Sequence, residues 1–243
     1  MRIAVVQFAP KYREKVKNLE ALTALCHQAS AGGAKIVVLP ELCTTGYTYM
    51  SAKEALPDAE VLGLESPTLS AMLEVAQATR MVIIWGMVEL DEGSGKLYNS
   101  QVLMKPNGKF ESYKKLNFFG NDYLWGTPGT ATPPIVSVGA KKVGLLICRD
   151  VRDKSHDLET IYSKGDAQIV CLSANWGAGA FPANSWMDFA RNNDCYLAVS
   201  NRYGKEANLD FGHGGVGIIS PDGVVQCEGL AWDQDCVVFG DVP

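Results

Sequence analysis

The 243-residue chain lacks an excess of basic residues: 22 Lys and Arg face 27 Asp and Glu, a formal net charge of −5. Nucleic acids and anionic membranes are attracted by clustered cations, so neither is expected as a main partner. Long apolar runs are missing too. A membrane-spanning helix needs about 20 consecutive apolar residues. The most apolar stretches here, such as Ile36–Leu39, suit buried strands. Ile3–Val6 is too short for the core of a signal peptide, so a cytoplasmic protein is expected. Histidine is scarce: His27, His156 and His213 lie far apart and form no HExxH pattern. The seven cysteines are odd in number and include no CxxC pair, which argues against a disulfide framework and a zinc knuckle.

What is present is apolar content, 47% of residues against 20% charged. That balance excludes a disordered chain, and a chain this long buries roughly 70–75% of its unfolded surface. No Pro- or Gly-rich linker interrupts it, so residues 1–243 are read as one domain.

Short apolar runs alternate with helical periodicity. Ile3–Phe8 reads as a strand, residues 15–31 as a helix stopped by Gly32-Gly33, and Ile36–Leu39 as a second strand. Ser66-Pro67 offers an N-cap and a first-turn proline for a helix reaching about Arg80. Met81–Trp85, Asn99–Met104 and Phe110–Tyr113 read as strands, the last two joined by a Pro106-Asn107-Gly108 turn. Phe118–Thr132 reads as loop. Ile135–Val138, Lys142–Ile147, Ile169–Leu172, Tyr196–Ser200, Val216–Ile219, Val224–Gln226 and Cys236–Phe239 complete the strands. Helices fall over Asp157–Ser163 and over Pro182–Asn193, the latter opened by its proline. Such alternation predicts a layered α/β protein. Two echoes, Gly33–Leu39 with Gly165–Cys171 and Met104–Gly108 with Ile219–Gly223, stand at unequal offsets. They suggest two similar halves and exclude a solenoid.

Chemistry in α/β proteins collects just past the carboxyl ends of strands. Three strands end in reactive side chains here: Pro40-Glu41, Tyr113-Lys114-Lys115 and Cys148-Arg149-Asp150. A cysteine nucleophile, a glutamate that takes and returns its proton, and a lysine facing a developing oxyanion make an acyl-transfer set. Each residue also has an ordinary reading. Cys148 can be a small buried apolar residue, Glu41 a cap, Lys115 half of a surface Lys pair, and Asp150 with Arg152 a plain ion pair.

The three segments resemble, in order, the motifs of the carbon–nitrogen hydrolase (nitrilase) superfamily. Leu39-Pro40-Glu41, followed by Gly46-Tyr47, resembles the first and puts Glu41 at the general-base position. Tyr113–Phe118 resembles the second, with Lys115 as the functional lysine and Asn117 replacing a common His. Leu146–Arg152 resembles the third. There Cys148, Asp150 and Arg152 match the amidase-like form, while Arg149 stands where an aromatic is usual. Nitrilases proper typically carry Cys-Trp-Glu, so the amide-cleaving branches are closer. Thr127-Pro128-Gly129, Asn175-Trp176, Arg191–Asn193 and Ser200–Gly204 continue the resemblance. A second glutamate of many members is here Asp122, expected to hold Lys115 or orient the attacking water.

The resemblance implies a four-layer α-β-β-α sandwich of two packed mixed sheets, usually assembled as a homodimer or higher homo-oligomer. Relatives often continue past the last strand, so a C-terminal tail is expected to be short or missing. A small-molecule amide is the implied substrate, cleaved to a carboxylic acid and ammonia through a thioester on Cys148, and the resemblance implies no metal and no organic cofactor. Glu41 moves the protons, and Lys115 with the Arg149 backbone N–H meets the oxyanion. Lys115, as a nearby cation, is also expected to favour the thiolate. Tyr47, Trp125, Asn175, Trp176 and Tyr203 are candidate pocket residues. Arg149 either binds a substrate carboxylate or pairs with Asp153 or Asp150. N-carbamoyl compounds and nitriles are alternative substrates, and a catalytically weak binding or sensor protein is the alternative class.

Overall fold

Strands buried on both faces must be apolar at every position, and the parity of their residues then sorts them into two cores. β1 (Arg2–Gln7), β2 (Ile36–Val38) and β3 (Val82–Asp91) pair in parallel and follow this rule over Ile3–Val6, Ile36–Val38 and Val82–Val88. Ile3, Val5, Ile36, Val38, Val82 and Ile84 enter one core, while Ala4, Val6, Val37, Ile83 and Trp85 enter another. The second core is closed by α1 (Lys15–Ala31) and α3 (Pro67–Thr79), through Leu22, Cys26 and Ala29 of the first and Leu69, Met72 and Ala76 of the second. Each large apolar side chain fully buried this way contributes roughly 1.5–3 kcal/mol. A short helix, α2 (Ala52–Ala55), lies between them in the chain.

The structure is a computed structural model and describes residues 1–152, 158–177, 181–229 and 234–243. The remaining elements are β4 (Lys96–Met104), β5 (Phe110–Lys114), α4 (Asp122–Trp125), β6 (Ile135–Val138), β7 (Lys141–Ile147), α5 (Leu158–Lys164), β8 (Ile169–Ala174), α6 (Asn184–Asn192), β9 (Tyr196–Asn201), β10 (Lys205–Glu206), β11 (Leu209–Asp210), β12 (Val216–Ile219), β13 (Val225–Gly229) and β14 (Cys236–Asp241). They form two six-stranded mixed sheets. The first runs β14-β1-β2-β3-β4-β5 and the second β6-β7-β8-β9-β12-β13. Each sheet has three parallel strands, an antiparallel edge strand on one side and an antiparallel hairpin on the other. A single bridge, Gln7 with Asn201, joins the sheets at one seam. Their facing sides merge into one core, and α5 and α6 cover the outer face of the second sheet through Tyr162, Trp186 and Phe189. The result is the α-β-β-α sandwich that the resemblance implies.

The helix over residues 15–31 and the Ser66 cap stand as expected; the Ser66 side chain accepts from the Leu69 N–H. Several boundaries move. β3 runs on to Asp91, because its antiparallel partner β4 starts early, at Lys96. α4 occupies the segment expected to be loop. α6 starts at Asn184, with Ala183 as its extended N-cap, so Pro182 stands outside it. α5 is described from Leu158, and the expected start at Asp157 lies outside the described residues. The hairpin of β10 and β11 was not foreseen at all.

Candidate active site

Three strand ends deliver Glu41, Lys115 and Cys148 to one buried point. After β2 the chain turns tightly over β3: Leu39 N–H donates to Ile84 O at 2.7 Å, and Gly86 N–H to Pro40 O at 3.1 Å. Leu42 sits at φ 47°, in the left-handed region. The turn fits only because residue 86 is glycine. A Cβ there would lie 2.4 Å from Leu42 N and 2.7 Å from Glu41 Cα. Lys115, just past β5, is fixed through its backbone. Its N–H donates to Asn99 O at 2.9 Å, and its carbonyl accepts from Gly129 N–H at 2.8 Å. Cys148 ends β7 and opens a 3-10 turn over Cys148–Arg152. Its φ of 41° is a strained value for a non-glycine residue, of the kind that concentrates at functional sites.

The side chains form a closed polar cluster. Lys115 Nζ donates to Glu41 Oε1 at 2.7 Å and to Asp122 Oδ2 at 2.6 Å. Asn99 Nδ2 bridges the same two carboxylates, at 2.8 Å to Glu41 Oε1 and 3.1 Å to Asp122 Oδ1. The Asn175 N–H donates to Glu41 Oε2 at 2.8 Å. Glu41 and Asp122 are 0% exposed, Lys115 1% and Cys148 6%. Water therefore does little of the screening, and the pairing does most of it.

That balance limits how far Lys115 favours the thiolate, though its pull is in the expected direction. Burial opposes the Lys115 charge, but Asp122 and Glu41 outweigh it and hold the ammonium pKa well above its usual value. Burial and then the Glu41 charge push the Cys148 thiol up, and Lys115 only partly offsets them. A cation already shared by two carboxylates has little field left for the sulfur. Cys148 rests as a thiol rather than as a thiolate.

Asp150 accepts from Tyr113 OH at 2.7 Å and from Asn117 N–H at 2.7 Å and Nδ2 at 3.0 Å. It ties the Lys115 strand end to the Cys148 turn, so it forms no ion pair with Arg152. Arg152 lies 4.4 Å over the Trp176 ring, and Arg149 lies 5.6 Å over Phe119. Both line a cavity of about 350 Å³ that reaches Cys148. Tyr47, Asn175 and Trp176 line it as well, as expected. Trp125 does not: it packs on Tyr49, with ring centroids 5.8 Å apart, in a neighbouring apolar cluster. Tyr203 also lies away from the cavity wall and interacts with Asp235 instead.

Sequence reading missed Phe119, Leu209 and Phe211, which complete the wall. It also missed Glu206. That carboxylate accepts from Tyr47 N–H and Thr48 N–H, both at 2.7 Å, and pairs with Arg202 at 2.7 Å. Asn99 stood in a strand legible in the sequence, but its bridging of two carboxylates needed the fold. Among the described residues, no group of three or more His, Cys, Asp or Glu is placed to hold a metal ion. Nor is any described helix long and apolar enough to cross a membrane.

The fold is that of the nitrilase-superfamily amidases: an amidase from Nesterenkonia sp. AN1 superposes with a TM-score of 0.84 at 24% identity, covering 100% of this chain and 93% of its own. The sequence model of the carbon–nitrogen hydrolase family matches residues 2–243, and the chain belongs to that family of hydrolases acting on C–N bonds. Among similar proteins, a nitrilase from Pyrococcus abyssi is 31% identical over 215 residues, 87% of this chain and 78% of the relative. An omega-amidase from Danio rerio is 28% identical over 258 residues, 99% and 87% of the two chains. A protein N-terminal amidase from Schizosaccharomyces pombe is 27% identical over 255 residues, 87% and 88%.

Proposed function

We propose that the chain is a thiol amidase that converts a small linear amide to a carboxylic acid and ammonia through a thioester on Cys148. The observation that carries this reading is the buried Glu41–Lys115 pair, 2.7 Å apart, which the strand ends bring to the Cys148 turn lining the cavity. It puts a carboxylate beside a thiol that rests protonated. Glu41 takes the thiol proton as sulfur bonds to the amide carbon, and the C=O pair moves onto oxygen. Lys115 Nζ and the Arg149 backbone N–H stabilise that oxyanion. Its collapse breaks the C–N bond, and Glu41 returns the proton to the leaving nitrogen. Water, deprotonated by Glu41, then attacks the thioester, and sulfur leaves as the thiol.

Asp122 gives Lys115 its second counter-charge, so the ammonium stays placed when Glu41 becomes neutral during the cycle. In a mutant of the Nesterenkonia amidase the active-site cysteine has taken Michael addition of acrylamide, so a cysteine in that fold can react as a nucleophile. Ammonia release from small amides, N-carbamoyl compounds and nitriles, with Cys148→Ala as control, tests the reading. The expected result is release from amides that falls at least about 10³-fold in the variant. Release from nitriles but not from the matching amides, or release that survives Cys148→Ala, contradicts it.

A further inference from the structure

The least self-supporting part of the cavity wall is the hairpin of β10 and β11. It has two rungs only, Lys205 with Asp210 and Glu206 with Leu209. An isolated two-stranded hairpin is marginal in water even when its strands are longer. Yet this one carries Leu209 and, just beyond it, Phe211 to the cavity. There the Phe211 ring meets that of Tyr47 edge to face, with centroids 6.0 Å apart. The hairpin and the loop after Glu41 thus share one apolar wall.

Such a hairpin needs a hold from outside itself, and a buried carboxylate provides one. Glu206 is 5% exposed and Arg202 is fully buried. Glu206 Oε1 accepts from Tyr47 N–H and Thr48 N–H, both at 2.7 Å, and from the Thr48 hydroxyl at 2.9 Å. Its Oε2 accepts from Arg202 Nη1 at 2.7 Å. Hydrogen bonds to an ionised acceptor are about twice as strong as neutral ones. The Arg202 guanidinium in turn lies 4.1 Å over the Phe211 ring, within the range of cation–π attraction. Gly46 permits the close approach: its φ is 91°, and a Cβ there would lie 2.6 Å from Glu206 Oε2.

These contacts bind both sides of the wall to one side chain. Through Oε1 the carboxylate holds the backbone that carries Tyr47. Through its own strand pairing and through Arg202 it holds Leu209 and Phe211. Its hydrogen-bond partners among the described residues include none of Glu41, Lys115 and Cys148.

Resting on the amidase reading, we infer that Glu206 is a positioning residue for substrate selection. From behind the wall it sets where Tyr47, Leu209 and Phe211 stand, and the substrate's carbon chain packs against them. It takes no part in the proton transfers.

Unbranched primary amides from acetamide to hexanamide are the probe. Each methylene buried against an intact wall should raise kcat/KM about three- to fourfold. Glu206→Ala would leave Arg202 buried without a counter-charge, so Arg202→Met combined with Glu206→Leu removes the anchor and strands no ion. In that double variant the factor per methylene should fall toward one, with KM rising far more for hexanamide than for acetamide. Glu206→Gln keeps an oxygen for the Tyr47 and Thr48 N–H groups and should give an intermediate factor. Leu209→Ala, which trims the wall itself, should lower the factor with Glu206 in place. Loss of folded protein alone lowers every amide equally and leaves the factor per methylene as it was. An even loss of that kind in the double variant or in Glu206→Gln overturns the inference. So does a wild-type series with no increment, while ammonia release that depends on Cys148 leaves the amidase reading standing. Release from none of these amides defeats the amidase reading itself, and the inference with it.

Discussion

Lys115 is one cation between two buried carboxylates, so its removal is not a local loss. Lys115→Met leaves Glu41 and Asp122 facing each other without water or counter-charge. Breaking a buried pair in this way costs about 3–5 kcal/mol, and the variant should show a clearly lower Tm in thermal melts. An unchanged Tm would mean that the cluster is not as closed as described. Asp150 gives a pH signature. Burial pushes its carboxyl up to about 6 from an ordinary 3.8, against the pull of Lys115, Tyr113 and Asn117. The folded state therefore binds this proton more tightly than the unfolded chain. The resulting stability is complete below about pH 4 and is lost as pH rises through about 6. Between those values wild-type Tm should fall relative to Asp150→Asn, and parallel curves would contradict the assignment. The strand ends that carry Glu41, Lys115 and Cys148 were legible in the sequence, because each lies in a motif of the resemblance and Glu41 and Cys148 follow solid apolar runs. The resting thiol was not, because it depends on two carboxylates sharing one ammonium and on complete burial. Neither is a property of sequence spacing.

Among the elements, the strand ends depend on residues with no side chain to announce them. Gly86 lies in β3, yet its role is to let the Glu41 turn approach. Gly86→Ala must displace Glu41 Cα or Leu42 N, an overpacking change that typically costs ~1–3 kcal/mol. Activity should fall by more than the loss of folded protein explains, because the displaced backbone carries Glu41, the proposed base. A variant with normal kcat/KM would contradict this. Strands buried on both faces were easy to read as solid apolar runs. The hairpin of β10 and β11 was not, since two-residue strands carry no periodicity. It matters all the same: Glu206 ties it to Tyr47 and Thr48, and its neighbours Leu209 and Phe211 wall the cavity. Pro182 misled for a different reason. Proline favours a first helical turn, but here the chain stays extended through Ala183.

Across the whole molecule, the two sequence echoes mark equivalent places. Gly33–Leu39 and Gly165–Cys171 lead into the central parallel strands β2 and β8, and the two turn motifs close the hairpins β4-β5 and β12-β13. Two similar halves were therefore legible, but what locks them face to face was not. Part of that lock is Gln101 of β4. It donates to Cys171 O at 3.0 Å and Ser173 Oγ at 2.8 Å, and accepts from Leu146 N–H at 2.9 Å. Gln101→Leu orphans buried groups on the second sheet at roughly 1–3 kcal/mol each. Denaturant unfolding should show a large loss of unfolding free energy, and a loss below about 1 kcal/mol would argue that the sheets are held by apolar packing alone.

The most direct test of the central claim is the intact mass of the protein, acid-quenched during turnover of an amide. The account predicts an adduct equal to the amide less ammonia, located on the peptide carrying Cys148 and missing in Cys148→Ala. Steady ammonia release with no such adduct, and with activity retained in Cys148→Ala, would contradict it.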